Sequence, residues 1–291
     1  MSAYRIMGIL NVTPDSFSDG GRFLGADAAV AHARTLVGEG ADILDVGGES
    51  TRPGAEPVSE REELARVQPV LERLAQGGLT DAAQISIDTC KSAVARVALD
   101  AGATLVNDVS ALRADPEMAA VVADSGAECC LMHMLGEPRT MQSAAHGPRY
   151  EDVVDDVKSF LEERLRFAVR EGIAEERILL DPGIGFGKTA THNLALLERL
   201  GELAAIGRPL LVGTSRKSFL GRIIADAAGE VEPVDAARRL PGTIATNVLA
   251  LERGASVFRV HDVAPVRAAL AVAAATLERL WTPRGTTTRT S

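Results

Sequence analysis

The sequence predicts an α/β protein whose single domain is a (β/α)8 TIM barrel, with parallel strands and mobile βα loops at its C-terminal face. Short apolar runs alternate with helical segments eight times along the chain, which is the order of elements in a parallel barrel. The runs are apolar throughout, as strands buried on both faces must be. The length of 291 residues matches one barrel with modest insertions.

A flat, doubly wound sheet shares this alternation and is the alternative fold. No GxGxxG motif follows the first strand, which argues against a dinucleotide-binding version of that sheet. We therefore expect residues 1–281 to form the barrel domain. The tail at 282–291 has no apolar pattern, so we expect it to be disordered.

The predicted strands lie at residues 4–10, 43–46, 84–87, 105–106, 128–132, 178–180, 210–213 and 257–260. Helices are expected at 26–39, 59–76, 91–100, 151–171, 192–206, 242–253 and 263–280, and two more begin near residues 115 and 218. Ser59 and Glu62 have the spacing of a capping box, and Pro69 should bend the helix that they start. Asp115 precedes a proline, which favours a helix start.

Composition and charge exclude several classes of function. Hydrophobic residues make up 46% of the chain and aromatic residues only 3%, so the core must be large and aliphatic. The charges sum to 31 − 40 = −9, which argues against general affinity for nucleic acid or for an anionic membrane surface. An anionic ligand must therefore be held by local cations and helix termini.

The cysteines and the N-terminus bear on location. Cys90, Cys129 and Cys130 have neither disulfide nor metal-ligand spacing, which favours a reducing compartment. The first residues enter a strand-like run without a signal peptide, and no apolar run is long enough to span a membrane. A cytoplasmic location is the resulting expectation.

Polar side chains stand at or near the ends of all eight predicted strands. They are Asn11, Asp45, Asp88, Asn107, His133, Asp181, Ser215 and His261. In a closed barrel these ends converge on one rim, where binding and catalytic residues lie. Any one of them could instead cap the following helix, but several come before the loop, inside strand sequence. No GxSxG motif or Cys–His motif accompanies them, so a covalent nucleophile is not indicated.

The most informative strand end is ILLDPGIGFGK, at residues 178–188, in which glycines after Asp181 allow a tight backbone and close ligand approach. A polar residue that closes an ordinary turn is the alternative. Asp88, Asn107 and Asp181 come from different strands that face one mouth, and they suit the donor edge of a flat, guanidine-like ring. A buried acid needs a partner, and Lys217 is the candidate for Asp181.

Two features predict anion sites. The run Ser215-Arg216-Lys217-Ser218 lies where a strand meets a helix, so free N–H groups and the Lys217 charge favour a carboxylate or phosphate; a solvated basic turn is the alternative. Arg259 and His261 alternate along the last strand, so they share a face and form a second cationic site if that face points into the mouth.

Metal binding is expected to be minimal. The histidines do not pair at ligand spacing, which argues against a permanent zinc site. Mg²⁺ bound mainly through a ligand's phosphates needs only one or two protein oxygens, and Asn11 could supply one.

Eight stretches, in order along residues 11–263, resemble the dihydropteroate synthases of the folate pathway. They are NVTPDSFSDGG, DVGGESTRPGA, SIDT, NDVS, LMHMLGEPRTMQ, LDPGIGFGK, TSRKSF and FRVHDV. The resemblance implies a transferase of a pterinylmethyl group: p-aminobenzoate displaces pyrophosphate from 6-hydroxymethyl-7,8-dihydropterin diphosphate and gives 7,8-dihydropteroate. The arylamine is a weak nucleophile and the ring can delocalise a methylene cation, so a dissociative path fits, in which the protein supplies positioning and electrostatics.

The resemblance also implies residue roles. Asp88, Asn107, Asp181 and Lys217 would be the catalytic residues of the pterin pocket, whereas Asn11, Arg259 and His261 would bind diphosphate and Mg²⁺, with Asn11 as the metal ligand. Two closing loops would carry Thr13, Asp15, Phe17, Ser18, Thr51 and Arg52. The remaining substrate contacts would be Pro53, Met132, Phe186 and Ser218, and Pro53, Phe186, Ser218 and Phe17 would form the aminobenzoate pocket, where sulfonamides would compete. A homodimer is implied, through outer helices such as the last two.

Some positions depart from the family's usual pattern. Leu135 stands where glutamine is often found and Ala111 where glycine is frequent, which affects loops beside the site. Residues 229–235 resemble nothing that we can assign. A pterin-binding methyltransferase barrel of the kind that serves corrinoid proteins would lack the paired loops and the SRKSF run. A non-catalytic pterin-binding paralogue would have lost a loop, the lysine or the arginine.

Overall fold

In the computed structural model, which describes residues 4–12, 22–50, 54–136, 141 and 149–278, eight parallel strands form a closed barrel. Each strand pairs with the next along the chain, and the last pairs with the first. This closure confirms the predicted fold class and excludes the flat sheet. None of the helices in the described ranges could cross a membrane.

The strands are β1 Arg5–Asn11, β2 Ile43–Gly47, β3 Gln84–Asp88, β4 Leu105–Asp108, β5 Glu128–Met132, β6 Ile178–Asp181, β7 Leu210–Val212 and β8 Ala255–Val260. The helices are α1 Arg22–Gly38, α2 Glu60–Gln76, α3 Leu79–Ala82, α4 Ser92–Asp100, α5 Met118–Ser125, α6 Val153–Arg170, α7 Ala190–Glu198, α8 Leu200–Ala204, α9 Ser218–Ala228, α10 Leu240–Glu252 and α11 Val263–Glu278. Two 3₁₀ turns, Glu175–Arg177 and Ala236–Arg239, precede β6 and α10.

Three of the predicted helix boundaries were wrong. The first helix, expected to begin at residue 26, begins at Arg22. The helix expected from Asp115 begins at Met118, because the Asp115 carboxylate accepts hydrogen bonds from the backbone N–H groups of Ser92 (2.8 Å) and Glu117 (2.9 Å). Asp115 therefore closes a turn instead of entering the helix. The helix expected at 192–206 is divided into α7 and α8 at Arg199.

Two local signals explain other helix starts. Ser59 caps α2 as predicted, since its side chain accepts from the backbone N–H of Glu62. At α7, Thr189 and His192 form a reciprocal capping pair, so the helix begins at Ala190. Histidine takes the position at which the usual motif has Glu or Gln, and the sequence rule therefore misses it.

The barrel interior is built in layers, because alternate residues of each strand face inward. One apolar layer consists of Met7, Ile43, Leu105, Cys130, Leu179, Leu211 and Val257. Towards the amino ends of the strands, Arg5 donates to Gln84 and Glu128, each across 3.0 Å. Towards the carboxyl ends, the inward residues are polar and buried, beginning with Asp45 and Ser86. This polar end of the barrel holds the candidate site.

Candidate active site

The three polar residues predicted to face one mouth lie at the carboxyl ends of their strands. Asp88 and Asp181 are the last residues of β3 and β6, and Asn107 pairs in register with Asp88. The exposed fraction of each residue is at most 7%. They are therefore buried acceptors held on rigid strands, as the sequence predicts.

Arg259 also faces into the barrel. Its Nε lies 2.6 Å from Oδ2 of Asp45, and its Nη2 lies 2.7 Å from Oδ2 of Asp88. Burial raises the pKa of Asp88 to about 7, although the charge of Arg259 opposes that shift. Burial lowers the pKa of the Arg259 guanidinium, but the carboxylates of Asp45 and Asp88 raise it, and the net effect is a raised pKa. One cation thus bridges two buried carboxylates inside the barrel.

Asp45 is a member of the site that the resemblance did not assign. Its carboxylate accepts hydrogen bonds from Ser86 Oγ (2.6 Å), Asn107 Nδ2 (3.1 Å) and Arg259 Nε (2.6 Å). The side chain is completely buried. The sequence predicts Asp45 near the end of its strand, but it is the third of the five residues of β2, and its three donors come from other strands.

The turn after Asp181 explains the glycines of the β6 loop. The backbone N–H of Gly183 donates to Oδ1 of Asp181 across 2.7 Å. Gly183 has a φ of +65°, and a Cβ at this position would lie 1.9 Å from the carbonyl oxygen of His133. Glycine is therefore required here by both backbone conformation and space. Burial raises the pKa of Asp181, and the charge of Lys217 opposes this.

Lys217 joins the predicted pterin and aminobenzoate residues. Its ammonium donates to the carbonyl of Ile184 and lies 4.6 Å from the centre of the Phe186 ring. Burial lowers the pKa of Lys217 to about 8, and Asp181 opposes that shift. Lys217 therefore acts on Asp181 through its charge, while its direct hydrogen bond goes to the backbone of the β6 loop.

The other cation of the basic run has a structural role. Arg216 has a φ of +57°, and its Nε donates to Oδ2 of Asp262 across 2.9 Å. Its backbone N–H donates to Thr243 Oγ1. These contacts hold a strained turn, which presents Lys217 to the mouth and places Ser218, an exposed residue, at the start of α9.

The ends of β7 and β8 are joined by Ser215 and His261. The Ser215 Oγ lies 2.9 Å from His261 Nδ1 and accepts from the His261 backbone N–H across 3.1 Å. Asn11, the predicted metal ligand, is the last residue of β1 and is half-buried. No group of three or more His, Cys, Asp or Glu side chains that could hold a metal occurs among the residues whose structure is described.

An apolar wall flanks Asp181. Met132, which pairs in register with Asp181, packs in a cluster with Val109, Met134 and Met141, and Phe186 lies against it. Of these, sequence reasoning singled out Met132 and Phe186. The others come from loops, where no periodic pattern marks a side chain as part of a wall.

His133 was predicted as a strand-end site residue, and the structure pairs it with a buried lysine. The Nζ of Lys188 lies 2.9 Å from Nδ1 of His133 and 3.0 Å from the carbonyl oxygen of Phe186. Burial lowers the pKa of His133 to about 2 and that of Lys188 to about 7. Neutral His133 therefore accepts from Lys188, and the pair ties the β5 loop to the β6 loop.

Two departures from the family's usual pattern have a structural context. Ala111 has a φ of +55°, the left-handed region that favours glycine, and its carbonyl accepts from Arg164 Nε across 2.9 Å. Leu135 is 40% exposed and contacts the β6 loop, since a Cβ on Gly187 would lie 2.3 Å from the Leu135 carbonyl oxygen. Neither residue contributes a polar group to the mouth.

The predicted closing loops lie outside the described residues. This applies to Thr13, Asp15, Phe17, Ser18, Thr51, Arg52 and Pro53. The segment that leads into the second loop is described: Lys91 binds the carboxylate of Glu49 and, across 2.5 Å, that of Glu63. The backbone N–H of Val58 also donates to Glu49. The base of the second loop is thus tied to α2 and to the start of α4.

Comparisons with known proteins agree with these features. Residues 7–261 match the family described as pterin binding enzyme. A dihydropteroate synthase of Escherichia coli (strain K12) is 46% identical over 277 residues, which are 95% of this chain and 93% of that protein.

Two solved structures are similar over nearly the whole chain. A Yersinia pestis dihydropteroate synthase with a sulfonamide drug complex has a TM-score of 0.85 and 44% identity, and covers 94% of each chain. A Xanthomonas albilineans dihydropteroate synthase in complex with 7,8-dihydropteroate has a TM-score of 0.80 and 43% identity, and covers 95% of each chain.

Proposed function

Because this chain belongs to the pterin-binding enzymes and, among them, to the dihydropteroate synthases, we propose that its barrel mouth condenses 6-hydroxymethyl-7,8-dihydropterin diphosphate with p-aminobenzoate. The products are 7,8-dihydropteroate and pyrophosphate, and the reaction serves tetrahydrofolate biosynthesis. One observation carries the residue assignment: Asp88, Asn107 and Arg259 share one buried network with Asp45 at the polar end of the barrel.

The pterin ring is recognised by acceptors on three strands. Asp88, Asn107 and Asp181 present carboxylate and amide oxygens to the guanidine-like donor edge of the ring, while Lys217 supplies a donor. Met132 forms the apolar wall beside Asp181. Buried, hydrogen-bonded acceptors of this kind discriminate strongly against ligands that lack the matching donors.

Substitution at the methylene carbon proceeds by ionisation. The carbon–oxygen bond breaks, pyrophosphate leaves with the bonding electrons, and the pterin ring shares the positive charge. Asp88 and Asp181 stabilise that charge because carboxylates in a buried site interact strongly with it. The amine of p-aminobenzoate then forms the carbon–nitrogen bond and loses a proton.

The second substrate binds next to Lys217. Phe186 offers a ring face at the mouth, and Ser218 lies at the start of α9, where backbone N–H groups favour a carboxylate. The family resemblance also assigns Phe17 and Pro53 to this pocket and Thr13, Asp15, Ser18, Thr51 and Arg52 to closing loops, all of which lie outside the described residues. Sulfonamides compete at the same place, in keeping with the drug complex of the Yersinia pestis relative.

The leaving group is held by Arg259 and His261, with Mg²⁺ as the cofactor. The residues present suit Mg²⁺ that would be bound largely through the diphosphate, because Asn11 offers one hard oxygen ligand at the end of β1. When bound, the ion neutralises charge that develops on the departing pyrophosphate.

Two further proposals concern the oligomeric state and the cellular location of the protein. Helices α10 and α11 expose Leu249 (40%), Val272 (70%) and Leu277 (48%), which supports a homodimer through this face. The three cysteines are unpaired thiols, which supports a cytoplasmic location.

Positional isotope exchange tests the ionisation step. Pterin diphosphate is labelled in the oxygen that bridges carbon and phosphorus, and is incubated with enzyme and Mg²⁺ in the absence of p-aminobenzoate. We expect the label to spread to the non-bridging oxygens of the same phosphate, because the leaving group rotates before the bond re-forms. Label that stays in the bridge while turnover with p-aminobenzoate is normal would contradict the dissociative path.

A further inference from the structure

We propose that Asp45 is a positioning residue, whose carboxylate fixes the orientation of the Asn107 amide and of the Arg259 guanidinium for pterin recognition. This inference rests on the proposed function, because the pterin pocket is what Asp45 organises. Asp45 does not itself form part of the pocket surface, since none of its side chain is exposed.

The strand register places Asp45 one inward layer below the rim. Gly47 pairs with Asp88, whereas Asp45, two residues earlier on β2, pairs with Ser86. Residues two apart on a strand point to the same face, so Asp45 lies directly beneath the level of Asp88 inside the barrel. It can therefore act on a ligand through the residues above it.

The first of these residues is Asn107. A carboxylate accepts hydrogen bonds, so Asn107 turns its amide nitrogen towards Asp45, with Nδ2 lying 3.1 Å from Oδ2 of Asp45. The carbonyl oxygen of the same planar amide must then point away from Asp45. The Asn107 carbonyl is thereby held as an acceptor for an N–H donor of the pterin ring. If the amide were flipped, its NH₂ group would face that ring donor and no hydrogen bond could form.

The second residue is Arg259. Its Nε contacts Asp45 and its Nη2 contacts Asp88, at 2.6 Å and 2.7 Å. The guanidinium is planar, and two of its atoms contact residues in two different layers of the barrel. These two contacts fix the orientation of its plane. If Asp45 lost its charge, Asp88 would be the remaining carboxylate in this bridge and the guanidinium could turn about it.

Ser86 provides a matched control. Its hydroxyl donates to the other oxygen of Asp45 across 2.6 Å, and it is equally buried. Ser86→Ala removes a buried hydrogen bond of Asp45 but leaves the contacts with Asn107 and Arg259 in place. A general loss of packing or buried polarity should therefore affect Ser86→Ala as much as Asp45→Asn, whereas loss of positioning should affect Asp45→Asn alone.

The experiment is calorimetric titration of each folded variant with 6-hydroxymethylpterin, followed by steady-state kinetics. We expect Asp45→Asn to bind this probe about 10- to 100-fold more weakly, the effect of one charged hydrogen bond. Its KM for p-aminobenzoate should stay within about twofold. Ser86→Ala should show a lower Tm and near-normal binding of the probe. Equal binding by wild type and Asp45→Asn, or equal losses in both variants, would overturn the proposal.

A charge-conserving exchange covers the case in which Asp45→Asn does not fold. Asn107→Asp alone puts two carboxylates together, whereas Asp45→Asn combined with Asn107→Asp restores one donor–acceptor pair with reversed polarity. We expect the double variant to regain at least tenfold in probe affinity over Asn107→Asp, and no gain would overturn the proposal. If the wild-type protein itself does not bind 6-hydroxymethylpterin, the proposed function fails instead.

Discussion

The guanidinium of Arg259 donates from Nη2 to Oδ2 of Asp88 across 2.7 Å. The two residues were expected at different groups of one substrate, Arg259 at the diphosphate and Asp88 at the pterin ring. Their contact joins the side chains that are expected at the two ends of the pterin diphosphate into one electrostatic network. Changes at either residue should therefore act on the pterin diphosphate far more than on p-aminobenzoate.

Arg259→Ala tests this distinction. We expect kcat/KM for the pterin diphosphate to fall about 100-fold or more, the scale of removing one partner of a buried charge pair. KM for p-aminobenzoate should change about threefold at most. Arg267→Ala is the control, since Arg267 lies on α11 and binds Gly40 and Asp42 on the outside of the barrel. Equal weakening of both substrates would argue against the diphosphate assignment.

The pH dependence of kcat/KM should reflect the ionisation of Asp88 and Lys217, whose pKa values are both shifted. Asp88, with a pKa of about 7, must be ionised to accept from the ring, so kcat/KM for the pterin diphosphate should rise as pH passes about 7. Lys217, with a pKa of about 8, must be charged, so kcat/KM should fall as pH passes about 8. Asp88→Asn should lose the acid limb and Lys217→Arg the basic limb. A flat profile from pH 6 to 9 would refute both roles.

Gly183 and Gly78 allow a matched test of the β6 turn. Both have similar φ values, +65° and +68°, but a Cβ on Gly183 would clash with His133 whereas one on Gly78 would meet nothing within 4 Å. Gly78→Ala should lose about 1 kcal/mol of stability through backbone strain alone and keep full activity. Gly183→Ala should lose several times more stability, and its turnover should collapse because Asp181 is displaced. Similar thermal shifts in the two variants would contradict this account.

The proposed dimer face can be tested by charge insertion. Val272→Glu on α11 should convert a dimer into a monomer, because it places an unpaired charge in an apolar interface. Val231→Glu is the control, since Val231 is 83% exposed but lies outside α10 and α11. Light scattering after size-exclusion chromatography measures the mass. A dimer that survives Val272→Glu, or a wild-type monomer, would contradict the proposal.

The sequence predicts the fold and the rim because both follow from local pattern. Strands buried on both faces are apolar runs, and the polar residue that ends each run lies at the mouth once the sheet closes. Asp88, Asn107 and Asp181 were placed correctly for this reason.

Which polar side chains pair with each other at the rim depends on contacts between residues that are distant in the sequence. A local sequence pattern therefore does not predict these pairs. His133 directly follows the last residue of β5, where a polar residue was expected to face the mouth, yet its ring nitrogen contacts the buried Lys188. Arg216 has the same charge as its neighbour Lys217, yet its guanidinium forms an ion pair with Asp262. The importance of Asp45 likewise appears only when its donors on other strands are known.

The proposed reaction can be followed by pyrophosphate release from the pterin diphosphate, measured with and without p-aminobenzoate for wild type and Lys217→Ala. We expect the wild-type protein to release pyrophosphate in step with 7,8-dihydropteroate when p-aminobenzoate is present. Lys217→Ala should retain its fold by circular dichroism but release pyrophosphate about 100- to 1,000-fold more slowly, the usual cost of removing one electrostatic contact to a transition state. Absence of release by the wild-type protein, or an undiminished rate in Lys217→Ala, would contradict the account.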